Sequence, residues 1–141
     1  MEEETETQCP VARSLDFISD AWSILILRDA HLGITRFDEF RKSLRIAPSM
    51  LTRRLNTLVS NGLLQKRLYS DRPPREEYLL TNSGHDFLPV LIMLGAWAQR
   101  NCGGKLARYI DAETNREIQP VVIDAVTGQP LTSSNVRVDW K

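Results

Sequence analysis

The stretch Ile46–Gly62, IAPSMLTRRLNTLVSNG, decides the fold that this sequence predicts. Pro48 suits the first position of a helix, where its missing N–H would have no partner, and Gly62 supplies a left-handed stop. Between them, four apolar residues recur at helical spacing: Leu51, Leu55, Leu58 and Val59. The stretch therefore predicts an amphipathic helix that is fixed by its leucines.

The rest of this helix surface carries arginines and mostly polar side chains: Ser49, Met50, Thr52, Arg53, Arg54, Asn56 and Thr57. A helix in the major groove of DNA uses arginine for guanine edges or phosphates, asparagine for adenine, and threonine methyl groups for thymine. An ordinary solvated helix has a similar polar side. The segments on either side must therefore decide between a recognition helix and a solvated one.

Capping residues and apolar periodicity predict three further helices before the central one, over about residues 10–19, 20–33 and 35–44. Asp20 is the predicted N-cap of the second helix, and Thr35 with Asp38 forms a variant capping box before the third. The turn 45–47 then leads into the central helix. Two helices joined by so short a turn form a helix-turn-helix.

Two strand-like segments follow the central helix, 63–69 and 76–80, joined by the loop 70–75. Two prolines stiffen the tip of this loop and block edge pairing, while Arg72 and Arg75 stand at its base. Alone, such a loop would be a solvated turn. After a recognition helix, a basic hairpin is better interpreted as a wing that contacts phosphates or the minor groove.

Thr81 caps a predicted long helix over 82–101, in which Pro89 lies early enough to be tolerated or to bend the helix slightly. The apolar surface of this helix is too wide to pack only on a small three-helix core. We therefore expect it to bury against a second copy. Such a dimer would set two recognition helices about 34 Å apart, one turn of DNA.

The composition describes a globular protein of one ordinary domain: 141 residues, 42% hydrophobic and 26% charged. The longest apolar run, 88–98, is too short to cross a bilayer, and no signal peptide opens the chain. We therefore expect a cytoplasmic protein without membrane contact. Cys9 and Cys102 are too few for a metal ribbon and are not expected to pair in the cytosol.

The net charge of zero hides a strong asymmetry along the chain. From Arg36 to Arg75 there are ten Lys or Arg against three Asp or Glu, a surplus of seven positive charges that the remainder balances. A basic segment concentrated in a neutral protein predicts contact with a polyanion such as nucleic acid.

Beyond Gly104 the pattern changes to short strand-like segments, 106–111, 118–126 and 136–140, separated by turns. We expect three parts: a disordered acidic N-terminus over 1–8, a winged helix-turn-helix with its dimerisation helix over 9–104, and a small β appendage over 105–141. The predicted fold class is α+β, mainly α, with a small C-terminal antiparallel β lobe.

These segments carry, in order and at fixed spacing, the markers of a known family: Cys9-Pro10, Trp22, Ile26-Leu27-Arg28, Gly33, Arg36-Phe37, Phe40, Ile46, Leu51, Arg54-Leu55, Leu58, Gly62-Leu63, Pro73-Pro74-Arg75, Glu77-Tyr78, Leu80-Thr81, Gly84, Leu88-Pro89 and Trp97. Over roughly residues 9 to 101 the chain resembles the HxlR family of bacterial winged helix-turn-helix transcription regulators.

The resemblance implies a dimeric, MarR-like repressor or activator that binds a palindromic operator in double-stranded DNA. By position it assigns Ser49, Met50, Thr52, Arg53 and Asn56 to the base-reading face, and Arg72 and Arg75 to the wing. We expect Arg53 and Asn56 to be the principal base readers. We expect phosphates to be neutralised by Arg36, Arg54, Arg72 and Arg75. No cofactor and no catalytic residue is implied.

The chain departs from the family at two places. Ala47 stands where the family often has a serine N-cap, and the missing oxygen would cost about 0.5–2 kcal/mol unless Pro48 and the preceding turn compensate. Some relatives carry a cysteine-bearing knuckle after the long helix. Here Thr114, Asp124 and Thr127 occupy its cysteine places, so we expect no zinc or other metal.

Cys9 is the candidate for redox or electrophile sensing, because several members of the family sense quinones, hypochlorite or aldehydes through a cysteine at this position. At a helix start, the positive end of the helix dipole favours the nucleophilic thiolate. Oxidation or alkylation there would shift the spacing of the recognition helices. A half-buried cysteine packed beside Pro10, with no sensing role, fits the sequence about equally well.

The sequence bears on three other functions as well. An enzyme is disfavoured because His31 and His85 lie near no nucleophile motif, phosphate loop or metal-ligand spacing. A winged-helix adaptor that binds protein would have no reason to concentrate basic charge. A DNA-binding regulator gated by a reversible small ligand stays open: Trp22, Trp97 and Phe17 are candidates to line its pocket, although core packing is their simpler role.

Overall fold

The computed structural model describes residues 8–18 and 20–140. Contacts divide the chain into two compact units, Met1–Leu88 and Pro89–Lys141. The predicted acidic N-terminus, residues 1–8, lies outside the described residues except for Gln8, which is exposed. Within the described ranges, no helix is both long enough and apolar enough to span a membrane.

The helix α1, the first that the described residues contain in full, is Pro10–Ser14 and begins after its N-cap Cys9, as predicted. It is shorter than the predicted helix, which extends to about residue 19. Beyond Ser14 the chain continues in tighter turns, in which the N–H groups of Leu15 and Asp16 bond carbonyls three residues back. The Ser14 hydroxyl also donates to a backbone carbonyl of the preceding turn, which competes with regular helical bonding.

The second helix, α2 (Ala21–His31), is capped as predicted. The Asp20 carboxylate accepts the N–H of the third helical residue at 2.9 Å. Ile26 and Leu27 are fully buried, whereas Trp22 is only half-buried. The helix is therefore less enclosed than its almost continuous run of apolar residues predicts.

The helices α3 (Phe37–Leu44) and α4 (Pro48–Ser60) form the predicted helix-turn-helix and pack with α2. The turn between them passes through Arg45, whose φ of 52° is left-handed. Ala47 is the N-cap of α4 and offers no side-chain oxygen to the N–H groups of the first turn. The leucines that predicted this helix are fully buried: Leu51, Leu55 and Leu58. The segment that decided the predicted fold is therefore confirmed.

The start of α3 differs from the prediction. The capping box of Thr35 and Asp38 is wrong, because Arg36 is the N-cap and its N–H donates to the Glu39 carboxylate at 3.3 Å. The Thr35 carbonyl instead accepts the N–H of Tyr78 at 2.7 Å. This bond ties Thr35 to the hairpin, so the helix starts one residue later.

The strands β1 (Leu64–Asp71) and β2 (Pro74–Leu80) form the predicted antiparallel hairpin. Both strands are longer than predicted, and only Arg72 and Pro73 remain between them. A bulge in β1 at Tyr69 interrupts the register. A bulged residue has no partner across the ladder, so its side chain can be aimed away from the alternating pattern.

The single long helix predicted over 82–101 is wrong, because the structure has two helices there. Thr81 caps the one-turn helix α5 (Asn82–His85), and α6 (Leu88–Asn101) begins after a two-residue break. Pro89 explains the break: it has no N–H to continue the helical ladder, and its ring would clash with the carbonyl of residue 85. It is tolerated in the first turn of α6.

From residue 102 to residue 140, irregular segments separated by three short turns replace the three regular strands of the predicted β lobe. Two isolated antiparallel bridges are present in this range, Ile110 with Glu117 and Ile123 with Pro130. The predicted lobe is thus antiparallel, but its pairing is limited to single bridges. Turn-forming residues recur too often for the intervening segments to pair over a strand's usual length.

The two bridges close turns of the same design. Asp111 accepts the N–H groups of Glu113 and Thr114 on one carboxylate oxygen, both at 2.9 Å. These bonds lower the pKa of Asp111, the largest contribution being the bond from Thr114. Asp124 begins the second turn and accepts the N–H of Val126 at 2.9 Å. In both turns a carboxylate therefore holds the backbone amides.

Candidate nucleic-acid interface

The outward side of α4 carries the predicted base-reading residues. The buried leucines fix the rotation of the helix, so four of these residues are exposed and one is half-buried: Ser49, Thr52, Arg53 and Asn56, with Met50 the half-buried one. The Thr52 hydroxyl donates to the Pro48 carbonyl at 3.0 Å, which leaves its methyl group and lone pairs for a ligand. This side can offer donors, acceptors and methyl groups to a groove.

Arg54 differs from the other predicted DNA-binding residues. Its Nε lies 2.6 Å from the Asp20 carboxylate, and only 22% of its side chain is exposed. Asp20 uses its other oxygen to cap α2. The carboxylate therefore links the start of α2 to the middle of α4, and the charge of Arg54 is already balanced within the protein.

The hairpin presents two of the predicted phosphate contacts. Arg72 lies in the turn and Arg75 near the start of β2, and both are exposed. Within residues 8–18 and 20–140, Arg53, Arg72 and Arg75 form no ion pair. Their charges are therefore available to an external anion.

Arg36, the N-cap of α3, contacts the hairpin through its side chain. Its guanidinium carbon lies 4.2 Å from the centre of the Tyr69 ring, which is a cation–π contact. The two residues line an open depression whose other members are one aromatic residue, one arginine and three carboxylates: Phe37, Arg75, Asp38, Glu39 and Glu76. Arg36 and Arg75, which the sequence predicted as separate phosphate contacts, thus border the same depression.

Other basic residues of the hairpin serve the fold. Arg67 donates from two nitrogens to one oxygen of Glu77, at 3.1 and 2.6 Å. This contact, helped by the Thr35 side chain, lowers the pKa of Glu77. Lys66 lies 3.8 Å from the Glu76 carboxylate. The basic surplus of this segment therefore overstates the charge available to DNA.

Cys9 is the N-cap of α1, and its sulfur accepts the N–H of Ala12 at 3.5 Å. The residue is half-buried, and both Cys9 and the exposed Cys102 are free thiols. The structure thus gives Cys9 the helix-start position on which the sensing hypothesis depends. The contact with the Ala12 N–H also gives Cys9 a structural role.

The histidines and aromatic residues that bear on the alternative functions make packing and hydrogen-bond contacts. His31 and His85 touch each other with ring centres 5.9 Å apart, and His31 bonds the Gly84 carbonyl at 3.1 Å. In the described part of the chain, no group of three or more His, Cys, Asp or Glu side chains is arranged to hold a metal. The aromatic residues weighed for a ligand pocket are not fully buried: Phe17, Trp22 and Trp97.

Sequence reasoning missed three residues of this region: Asp20 as a partner of α4, Tyr69 as a partner of Arg36, and Arg45 as an exposed cation in the helix-turn-helix turn. The N-cap position of Asp20 could be read from the sequence, but the partner of its second oxygen could not. A bulge has no simple sequence signal, so the direction of the Tyr69 side chain could not be predicted from the sequence either.

Comparison with known proteins finds one family along most of the chain. Residues 17–105 match the HxlR-like helix-turn-helix family. Rv3095 of Mycobacterium tuberculosis (strain H37Rv), named an uncharacterised HTH-type transcriptional regulator, is 38% identical over 129 residues. That alignment covers 89% of this chain and 82% of the relative.

Solved structures give the same family of folds. PA1607, described as a candidate transcription factor, has a TM-score of 0.83 and 35% identity, and the alignment covers 93% of this chain and 94% of that one. HypR, a redox regulator in its reduced form, has a TM-score of 0.62 and 32% identity, with coverage of 67% and 94%. The likeness to PA1607 therefore extends over much more of this chain than the likeness to HypR.

Proposed function

This chain belongs to the HxlR-like helix-turn-helix family of transcription regulators, and we propose that it binds a palindromic DNA operator as a cytoplasmic homodimer. The observation that carries the proposal is the outward side of α4, which is held by fully buried leucines and leaves Arg53 and Asn56 exposed. A rigid helix with such side chains is suited to the edges of bases in a major groove.

In this proposal, the residues that contact bases differ from those that contact phosphates. Arg53 and Asn56 read base edges, and the smaller side chains of Ser49 and Thr52 accompany them. Met50, which is half-buried, adds an apolar contact at the edge of the same face. Phosphate binding falls to the exposed arginines of α3 and the hairpin: Arg36, Arg72 and Arg75. Phosphate contacts fix the register of the helix, whereas base contacts supply the sequence preference.

Arg54 has a smaller part in DNA binding than the sequence predicts. Its ion pair with Asp20 would have to open before the guanidinium could bind a phosphate. We propose that Arg54 mainly holds α4 against the start of α2. In that role it supports the recognition helix without touching DNA.

The homodimer is proposed from the surface of α6. Val90, Leu94 and Trp97 recur at helical spacing and are 45%, 48% and 62% exposed. An exposed apolar stripe on a helix of this length is typical of a protein interface. A two-fold dimer would pair with the two-fold symmetry of a palindromic operator. The dimer helix belongs, in this proposal, with the winged helix-turn-helix over residues 9–104.

A second candidate function is a redox or electrophile response through Cys9. The structural neighbour HypR is a redox regulator that has been solved in reduced and oxidised forms. The half-buried sulfur of Cys9 at the start of α1 supports a comparable role here. We expect diamide or a quinone to weaken operator binding, Cys9→Ser to remove this response, and Cys102→Ser to retain it. A response that persists in Cys9→Ser would exclude Cys9 from the mechanism.

Two alternatives make different predictions from operator binding. A protein-binding adaptor would not need exposed, unpaired arginines on both α4 and the hairpin. A regulator gated by a reversible ligand would bind DNA in the same way, but its response would survive Cys9→Ser. The relatives are transcription regulators, which disfavours an enzyme.

The test is selection of duplexes from a random-sequence library, followed by fluorescence anisotropy at increasing salt. We expect an enriched inverted repeat with half-sites about one helical turn apart, 10–10.5 bp from centre to centre. Affinity should fall steeply with salt because phosphate contacts release counterions. A library without enrichment, together with binding that ignores salt, would exclude the operator proposal and favour the adaptor.

A further inference from the structure

The unit Pro89–Lys141 keeps most of its large apolar side chains at its surface. Ala96 is the only buried hydrophobic residue among its described residues, which end at 140. Besides the stripe on α6, eleven large apolar residues are exposed: Leu106, Ile110, Ile118, Val121, Val122, Ile123, Val126, Leu131, Val136, Val138 and Trp140. One buried alanine and a few half-buried side chains offset little of the conformational entropy of ordering such a segment.

The segment 105–140, called here the C-terminal arm, nevertheless has a defined path along α6. Gln99 donates to the Ala107 carbonyl at 2.6 Å, and Arg100 donates to the Pro120 carbonyl at 3.0 Å. Tyr109 packs on Gly95 so closely that a Cβ atom there would collide with the tyrosine hydroxyl. The arm is therefore anchored to the helix by polar contacts and one aromatic contact. Most of its aliphatic side chains take no part in this anchoring and are exposed.

The arm and the apolar stripe occupy different sides of α6. Gly95 and Gln99, which contact the arm, are four residues apart and lie on one side of the helix. Val90, Leu94 and Trp97 form a neighbouring stripe that stays exposed. The stripe and the arm's aliphatic side chains are thus two apolar surfaces of the same unit that this unit does not cover.

We propose that the C-terminal arm and the α6 stripe together pack on the same unit of a second copy of this chain, so that the arm enlarges the homodimer interface. This inference rests on the homodimer of the proposed function. It assigns a role to residues that lie beyond the helix-turn-helix family match, which ends at residue 105.

The exposed apolar area of the arm and the stripe is close to the area that a stable dimer interface takes from each partner. The arm and the stripe together expose fourteen large apolar side chains. Full burial of one aliphatic side chain removes about 100 Å² from water, and these side chains are about half exposed, so their exposed apolar area is on the order of 700 Å². A stable interface takes about 800 Å² from each partner.

The charge composition of the arm suits contact with a second copy of this chain better than contact with a strongly charged partner. Residues 105–141 contain five Lys or Arg and five Asp or Glu, so their net charge is zero and the signs are mixed. Such a surface neither attracts a polyanion nor suits a strongly basic protein. A two-fold contact, in which each residue meets the partner's equivalent surface, needs this kind of neutral complementarity.

The test measures dimer dissociation of the full chain by sedimentation, comparing arm variants with a hairpin variant. Val121 and Val126 are 66% and 92% exposed, and Leu68 of the hairpin is 54% exposed. We expect Val121→Glu and Val126→Glu to raise the dimer dissociation constant by at least about tenfold, because each charge enters the two-fold interface twice. Leu68→Glu, which adds the same charge elsewhere, should leave the constant unchanged.

A second measurement guards against variants that lose their fold. A photo-crosslinking residue replaces Val126, and two differently tagged copies of the full chain are mixed and irradiated. We expect crosslinks that join the two tags. Crosslinks confined to single chains would overturn the proposal and show that the arm packs on its own molecule. A wild-type chain that is monomeric at all concentrations would overturn it as well.

The outcomes separate this inference from the proposed function. If arm variants dimerise as tightly as the wild type and the wild type selects an inverted repeat, the arm proposal fails and the operator proposal stands. If the arm crosslinks between copies but the dimer selects no duplex, the arm proposal stands and the operator proposal fails.

Discussion

The guanidinium of Arg36 lies over the face of Tyr69, with 4.2 Å between the guanidinium carbon and the ring centre. The bulge in β1 aims the Tyr69 ring at the first turn of α3. The contact holds a long cationic side chain beside the hairpin. Within residues 8–18 and 20–140 the Arg36 guanidinium forms no ion pair, although the Glu77 carboxylate interacts with its charge at longer range. Arg36 is therefore positioned for an anion and keeps its positive charge.

Removal of the Tyr69 ring should weaken binding to all duplexes alike. A cation–π contact at an exposed site is worth about 0.5–1 kcal/mol, so we expect Tyr69→Leu to reduce affinity by roughly two- to fivefold. The salt dependence should stay nearly constant, because Arg36 keeps its charge. Fluorescence anisotropy with selected and random duplexes checks both quantities. Tyr69→Phe retains the ring and should bind like the wild type; a loss in that variant would assign the effect to the hydroxyl.

The helix α4 could be predicted from sequence because one local pattern determines it. Pro48, the buried leucines and Gly62 act within a single helix, and the structure has that helix at Pro48–Ser60. The hairpin could be predicted for the same reason, since two strand-like segments on either side of a loop with two prolines are local signals.

Other features depend on contacts between distant residues and could not be predicted. The pairing of Arg54 with Asp20 joins two helices, and the bulge at Tyr69 depends on the register of two strands. The helix over 82–101 was predicted as one because its apolar pattern continues through the break. From the sequence, Pro89 predicts at most a slight bend. In the structure the helix is broken before Pro89, because the proline ring would clash with the carbonyl of residue 85.

The link between Asp20 and Arg54 should affect stability more than DNA binding. Asp20→Ala removes both the α2 cap and the ion pair, and loss of such a cap costs about 0.5–2 kcal/mol. Asp20→Asn keeps a capping oxygen and should reduce the free energy of unfolding by less. Urea unfolding of the two variants measures the difference. Equal losses in both would mean that the cap contributes little.

The same pair gives a direct test of the phosphate role that the sequence predicts for Arg54. If Arg54 stays paired with Asp20, Arg54→Met should leave the salt dependence of duplex binding unchanged. If it neutralises a phosphate, the logarithmic slope should fall by about one. Thermal unfolding of the same variant shows whether the substitution has damaged the fold.

A serine at position 47 should stabilise α4. Ala47 has the extended backbone of an N-cap, with φ −62° and ψ 137°, but no oxygen to accept an N–H of the first turn. We expect Ala47→Ser to add about 0.5–2 kcal/mol to the free energy of unfolding. For a chain of this size, 1 kcal/mol corresponds to a rise in Tm of roughly 2–4 °C. Ala47→Val, which adds volume without an oxygen, should give no such gain.

The carboxylate of Glu77 should make stability depend on pH. Its contact with Arg67 lowers its pKa in the folded protein below the ordinary value of 4.5. The ionised form therefore stabilises the fold above that pH, and the contribution is lost as the pH falls through the lowered pKa. We expect Glu77→Gln to reduce the free energy of unfolding at neutral pH, and the difference from wild type to shrink at an acidic pH well below 4.5.

Urea unfolding at the two pH values measures this difference. Glu76→Gln is the matched control, because the contact of Glu76 with Lys66 is longer, at 3.8 Å, and both side chains are largely exposed. Such a pair contributes little to stability, so this variant should resemble the wild type at both pH values. A Glu77→Gln difference that does not change with pH would show that lost packing, rather than lost charge, destabilises the variant.

Arg53 and Arg75 should differ in what they contribute to DNA binding. Arg53 lies on the outward side of α4, so Arg53→Ala should weaken binding to the selected operator by about 1–3 kcal/mol and relax the preference at one base pair. Arg75 lies on the hairpin, so Arg75→Ala should weaken all duplexes alike and lower the salt slope by about one. Anisotropy titrations with the operator and single-base variants, at several salt concentrations, separate the two effects. If both variants lose the same salt slope and keep the base preference, Arg53 contacts only phosphate, and the reading of bases must be assigned to Asn56 and its neighbours.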